Sequence, residues 1–503
     1  MYYNKTNLKH ITSYKDSKVS HTKIASTLLF TSLINTLLLA QTTNEKVHTL
    51  KNNGIIIYNI QKSVDSFHDM FTKGDIYGRL RSNNFYFAYS KEDNSHDTQM
   101  VGSLGASFVF KSAAYKHFDT TLGLYASQSF FNDSLDPIDA LKPAKDTLSR
   151  YNYIRTGSKS MAVLGQANIG YAYSKTKLIV GRQLVETFYT KSNDTKMIPN
   201  TFDGAVLNSH ELKDTRFTLA YLQKQKLRDH TDAHSVLMYD DSNLSTYSMW
   251  SANDDGAMHR GMTYSALKAA GKPTDAPLII VDGDNNSIKN LKINFSSYLV
   301  PQLLSQIMAE ANYKLQLNGF SITPGMRYIK QFDNGAGKIG GASLYKIGLS
   351  GYKDANSLDG GMLGARVVTK FDDYKISLAY TGIFDKGDLV TPWRGFPTAG
   401  YTRSMGMYNW RANVKSYRLE LVKGANDKGI YRTPFIQTSV LYLDGDQSKA
   451  ETESIFYYAG IIQNIPTMPQ LQYRLRLGWR DFTGDSSPVS DYLDSRFELN
   501  YLF

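Results

Sequence analysis

Residues 471–482 read LQYRLRLGWRDF, and every second residue from Leu471 to Trp479 is apolar. The residues between them are Gln472, Arg474, Arg476 and Gly478, with Arg480 next in the same series. Alternation of period two puts these sets on opposite faces of one strand. A face with three guanidinium groups cannot line a dry sheet-on-sheet core, because burying unpaired charge is too costly. The apolar face must still be covered. Lipid outside and water inside satisfy both faces at once, provided the sheet closes on itself and leaves no edge.

The same theme recurs from about Asp75 to Phe503, in segments such as VLGQANIGYAYS, TRFTLAYLQ, LKINFSSYLV, NYKLQLNGFSI, YKISLAYTGIF and YRLELV. They break at clusters of Asp, Asn, Gly and Lys, which favour turns. Short breaks, such as 174–177 and 372–373, alternate with long ones, the longest from about Asp229 to Asn290. The chain closes on SRFELNYLF, with Phe497, Leu499, Tyr501 and Phe503 interleaved with Arg496, Glu498, Asn500 and Leu502. The expected fold is all-β: a transmembrane antiparallel β-barrel of about 16 to 18 strands, 18 preferred, with tight turns at one end and long loops at the other. A barrel of that size holds a water-filled lumen. The mean hydropathy of −0.37 does not oppose this, since each strand shows lipid only half its residues. The 35 Tyr, 24 Phe and 4 Trp suit interfacial girdles, and the lack of Cys excludes a disulfide framework.

Three segments follow. Residues 1–40 read as an export signal, with Lys5, Lys9, Lys15, Lys18 and Lys23 against Asp16, then the uncharged IASTLLFTSLINTLLLA. The alternative there is an uncleaved N-terminal anchor. Residues 41–74 read as a periplasmic lead-in, helical around VDSFHDMF, and 75–503 as the barrel. Export of a barrel places the chain in a bacterial outer membrane.

With the apolar sets assigned to lipid, the inward sets carry the charge. Arg474, Arg476 and Arg480 share a face with about 7 Å between neighbouring positions. Arg496 and Glu498 share one on the last strand, and Arg418 and Glu420 share one in YRLELV. Arg216, Arg327, Arg366 and Lys370 fall inward on other strands, and GRLRSN turns Arg79 and Arg81 to one side. Closure makes the first and last strands neighbours, so Arg79, Arg81, Arg474, Arg476, Arg480 and Arg496 are expected on one patch of wall. Such a patch either hands carboxylates from fork to fork or pairs with Glu498 and Glu420 to hold the wall together. The net charge of +11 agrees with a face for anionic groups.

Over residues 75–503 the chain resembles the OprD-type outer-membrane porins. The resemblance rests on KLIVGRQ followed by KMIPNTFDGA (196–205), on TPWRGFP followed by YRLELV, on LQYRLRLGWRDF, and on Asp494-Ser495-Arg496 in the closing strand. It implies a barrel of 18 strands, a constriction made by inward-folded loops, a basic row on the wall, and selective uptake of small carboxylate-bearing nutrients such as amino acids. Lys196 and Asp203 become candidates for the constriction loop. The chain departs from the family pattern at Lys196, where Arg is usual, and at Asp494, where Glu is usual. Both keep the charge, but Lys cannot offer a bidentate fork.

Other chemistries are poorly supported. The residues 229–234 (DHTDAH) are metal-ligand types in a long polar break with no element to fix them, so no metal site is expected. No nucleophile elbow appears, so the chain is not read as an enzyme, and no cofactor is expected. Charge dispersed along strands argues against nucleic acid. The expected partners are small solutes, carboxylates or amino acids among them, and outer-membrane lipids, with weak homo-oligomerisation left open. The rival reading is a surface adhesin or structural outer-membrane barrel without transport.

Overall fold

The computed structural model describes residues 49–51, 55–57, 62–91, 98–132, 147–149, 152–153, 156–192, 196–237, 259, 261–344, 350–424, 430–483 and 490–503. The export signal read in residues 1–40 lies outside the described residues.

Eighteen long strands form one closed antiparallel barrel. In chain order they are β1 (Asp75–Tyr89), β2 (Gln99–Lys111), β3 (Phe118–Asn132), β4 (Ser160–Tyr173), β5 (Thr176–Gln183) and β6 (Thr201–Ser209). There follow β7 (Thr215–Lys226), β8 (Leu278–Asn285), β9 (Leu291–Val300), β10 (Leu304–Tyr313), β11 (Ser321–Asp333) and β12 (Gly360–Phe371). The last six are β13 (Tyr374–Ile383), β14 (Lys415–Lys423), β15 (Phe435–Asp444), β16 (Ser454–Ile465), β17 (Met468–Phe482) and β18 (Tyr492–Leu502). Closure is by β18 against β1, from Tyr492↔Tyr89 to Leu502↔Arg79. Closure removes the sheet edge, the condition for spanning a bilayer with strands.

The connections sort by end. Residues 174–175 and 372–373 turn tightly at one end, whereas 184–200, 227–277, 334–359 and 384–414 are long and lie at the other. A short helix, Phe67–Thr72, precedes β1 at the tight-turn end, within the stretch expected to be helical.

The break expected from Asp229 to Asn290 is corrected. It contains β8, whose sequence LIIVDGDN ends in residues that read as a turn. Register explains why it is a strand. Asp282 and Asp284 face inward opposite Thr218 and Arg216 of β7, and Gly283 on the outer face lies under the Phe295 ring, whose Cζ is 2.4 Å from where a Cβ would stand. An aromatic neighbour covering a strand glycine restores the packing that the missing side chain forgoes.

The lumen is also not uniformly wet. At the long-loop end the inward residues Leu278, Ile280, Tyr298, Val300, Leu304, Ile329 and Met362 are buried in one cluster with Val236, Leu237, Val390, Trp393 and Trp410 from the loops. Further along the same strands the inward residues become Asp282, Asp284, Asn294, Glu310 and Arg327. The apolar inward residues pack against apolar loop side chains, and the charged ones follow further along the same strands.

Candidate functional site

Two long connections meet inside the barrel. Residues 187–191 and 393–395 knit as a short ladder, with Lys191 N–H donating to Trp393 O and Gly395 N–H to Tyr189 O, each at 3.0 Å. A Cβ at Gly395 would stand 2.1 Å from Phe188 O, so only glycine lets the two backbones approach this closely. The Trp393 indole N–H donates to Val236 O at 2.6 Å, tying in a third connection. From there the segment 396–410 crosses to the opposite wall. Tyr492 Oη is 3.8 Å from Met407 Sδ, and Met405 Cε lies 2.8 Å from the Cβ position of Gly478.

Arginines hold this crossing loop from the wall. Arg327 on β11 donates to Pro397 O (2.7 Å) and Ala399 O (2.8 Å), and Arg366 on β12 to Gly400 O (2.7 Å). Both guanidiniums stack on the Tyr401 ring, at 4.4 and 4.6 Å from its centroid. Glu310 of β10 accepts from Arg327 Nε at 2.7 Å and lies 3.3 Å from Arg366 Nη2. Below the loop a polar cavity of about 340 Å³ is lined by Arg366, Lys375, Arg403, Arg418, Glu420 and Gln437. Glu420 pairs with Arg418 and with Lys375, the latter at 2.7 Å.

The register across β17, β18 and β1 orders the other arginines into rows. From the tight-turn end, Arg79 lies opposite Leu502 and Arg81 opposite Asn500. Arg474 then faces Glu498, Arg476 faces Arg496, and Arg480 faces Tyr492. The first four rows are two residues, about 7 Å, apart along the wall, and Arg480 stands four residues, about 14 Å, beyond Arg476, past the row of Gly478 and Asp494. Glu498 pairs with Arg476 and lies 3.9 Å from Arg474, while Asp494 accepts a fork from Arg496, with Nε at 2.8 Å. Lys196, in the connection between β5 and β6, lies over the Phe85 ring at 5.3 Å, beside this wall.

Other expected residues stand elsewhere. Arg216 is held on β7 by Asp284 (2.7 Å) and Asp282 (2.9 Å). Asp203, expected in a constriction loop, stands on β6 and takes a fork from Arg182 at 2.6 and 2.7 Å. Lys370 is exposed near the 372–373 turn. Sequence reasoning missed Glu310, Tyr401 and Arg403. TPWRGFP was the available signal, since it opens the segment that Arg327 and Arg366 grip.

Among the described residues no group of three or more His, Asp or Glu is placed to hold a metal ion. In the stretch 229–234, the His234 Nδ1–H donates to Ser235 O at 2.7 Å, and its backbone pairs with Gln225.

Residues 156–380 match the family model described as outer membrane porin, OprD family. No curated protein matches the chain. Among solved structures, Acinetobacter baumannii OccAB1 matches with a TM-score of 0.65 at 13% identity, covering 86% of this chain and 97% of that one. Pseudomonas aeruginosa OccK8 (OprE) matches at 0.63 and 15%, covering 86% and 99%. Pseudomonas aeruginosa OpdK, crystallised with vanillate, matches at 0.62 and 12%, covering 85% and 98%. At these identities the structural likeness is one of fold.

Proposed function

We propose that this OprD-type outer-membrane porin passes small hydrophilic solutes that bear a carboxylate, along the arginine rows of β17, β18 and β1. The observation that carries the reading is the ascent Arg79, Arg81, Arg474, Arg476 with Arg496, and Arg480 along one wall. A carboxylate leaving one fork finds the next about 7 Å away as far as Arg476 and Arg496, and about 14 Å away at the step to Arg480. Arg79, Arg81 and Arg476 are buried, while Arg474, Arg480 and Arg496 keep part of their surface open; at those open forks a solvated contact is worth about 1 kcal/mol, weak enough for release, which conduction requires. The neighbour crystallised with vanillate, a small aromatic carboxylate, supports that size and charge.

A second reading has its own support. Glu498 pairs with Arg476 and lies near Arg474, as expected if these arginines chiefly brace the wall. The test is solute flux into vesicles holding the refolded protein. The proposed function predicts that a small monocarboxylate enters faster than a neutral sugar of equal size, with the advantage shrinking as salt screens the lumen. Equal rates at all salt concentrations would favour bracing.

A further inference from the structure

The helix Phe67–Thr72 has two unlike faces. At 100° per residue, Met70, Phe67 and Phe71 fall within one arc, and His68, Thr72, Asp69 and Lys73 fill the other. Met70 is buried and its carbonyl accepts from Ala113 N–H at 2.9 Å. Phe67 and Phe71 nevertheless remain 64% and 44% exposed. Six residues are too few to hold a helix alone. This one is held by the Ser66 cap, whose Oγ accepts from Asp69 N–H at 3.0 Å, and by residues 63–64 lying parallel to 114–115. Its aromatics are therefore displayed at a fixed place.

That place continues the lipid-facing wall. The Phe71 ring stacks on Phe110 at 6.3 Å and 10°, and Phe110 belongs to the outward set of β2 with Met100 and Leu104. Ile76, which opens the outward set of β1, is 68% exposed. On β3, Phe118 and Leu122 are 47% and 49% exposed. We propose that the helix is an interfacial foot. Phe67 and Phe71 insert at the boundary between headgroups and acyl chains of the phospholipid leaflet at the tight-turn end. His68, Asp69, Thr72 and Lys73 face water, with Asp69 and Lys73 paired at 3.0 Å. Aromatic residues favour that boundary because one end of the environment is apolar and the other wet. The occupant is lipid rather than a protein because the surface runs without interruption into the lipid band. The inference rests on the membrane barrel and not on the solute it passes.

The chain has no Cys, so single cysteines can be spin-labelled without background. Phe67→Cys, Phe71→Cys, His68→Cys, Thr72→Cys and, as a lipid-facing reference, Ile76→Cys are refolded into phosphatidylethanolamine–phosphatidylglycerol vesicles. Only protein with the parent's heat-modifiable gel migration is measured. The expected result is greater collision with oxygen than with a water-soluble nickel chelate at positions 67, 71 and 76, and the reverse at 68 and 72. Chelate dominating at both 67 and 71 would overturn the proposal. So would protection of both from either reagent, since that marks burial against protein.

Discussion

Glu310 is the carboxylate that joins the two grips on the crossing loop, since Arg327 and Arg366 both reach it while also holding that loop. Glu310→Gln keeps the shape and removes the charge. It should lower stability by about 2 kcal/mol, the worth of hydrogen bonds to a charged group, and shift the channel further towards anions; urea midpoints and reversal potentials read the two effects. His259 is a residue of another kind. Its Nε2–H donates to Gly341 O at 2.9 Å and its Nδ1 accepts from Gly261 N–H at 3.1 Å, so both nitrogens are committed to the neutral ring. Burial holds its pKa below the ordinary 6.5. Between the two values the unfolded chain binds the extra proton, so the contribution is complete above about pH 6.5 and is lost as pH falls below it. Hydrogen exchange at 261–267 and 340–341 should therefore speed up from pH 7 to pH 5, and His259→Gln should flatten that dependence. The arginines were legible in the sequence because parity alone decides which face each takes. Their partners were not. That Glu310 meets Arg327 depends on the register of β10 against β11, which alternation leaves open.

At the scale of elements, segments with unbroken alternation were readable, and so was the helix near Phe67. The strand β8 was hidden because Asp282, Gly283 and Asp284 are turn formers by composition, held in a strand by Arg216 and Phe295. The inward course of 384–414 was hidden for a different reason, since nothing in period-two patterning tells a loop that folds in from one that folds out. Its root is fixed by Asp388, which is fully buried and accepts from Leu344 N–H (2.9 Å), Ala412 N–H (2.8 Å) and the Tyr352 hydroxyl (2.9 Å). One carboxylate thus ties both legs of the loop to the connection 334–359. Asp388→Ala leaves two backbone donors unsatisfied, each at about 1–3 kcal/mol, and the cost falls on the loop rather than on the wall. Single-channel records should show a larger and noisier conductance from a barrel that still refolds with the parent's gel shift. An unchanged conductance would mean that the crossing loop does not limit passage.

For the whole molecule, closure is what turns local patterns into a site, because it brings β1 beside β18 and so joins arginines from the two ends of the barrel sequence. The requirement that no edge face lipid makes that junction predictable from the strand pattern alone. The apolar columns at the long-loop end were not predictable, because they answer to loops packed inside. The central claim is that the arginine rows guide anionic solutes. It is tested most directly by reversal potentials across a planar bilayer under a salt gradient, comparing the parent with the Arg474→Gln, Arg476→Gln double variant. Gln keeps length and polarity, so the strand should still pair and insert. The parent should prefer anions, and losing two charges from neighbouring rows should shift it clearly towards cations. A double variant with the parent's reversal potential but a reduced refolding yield would contradict that claim, and would leave these arginines as braces for Glu498.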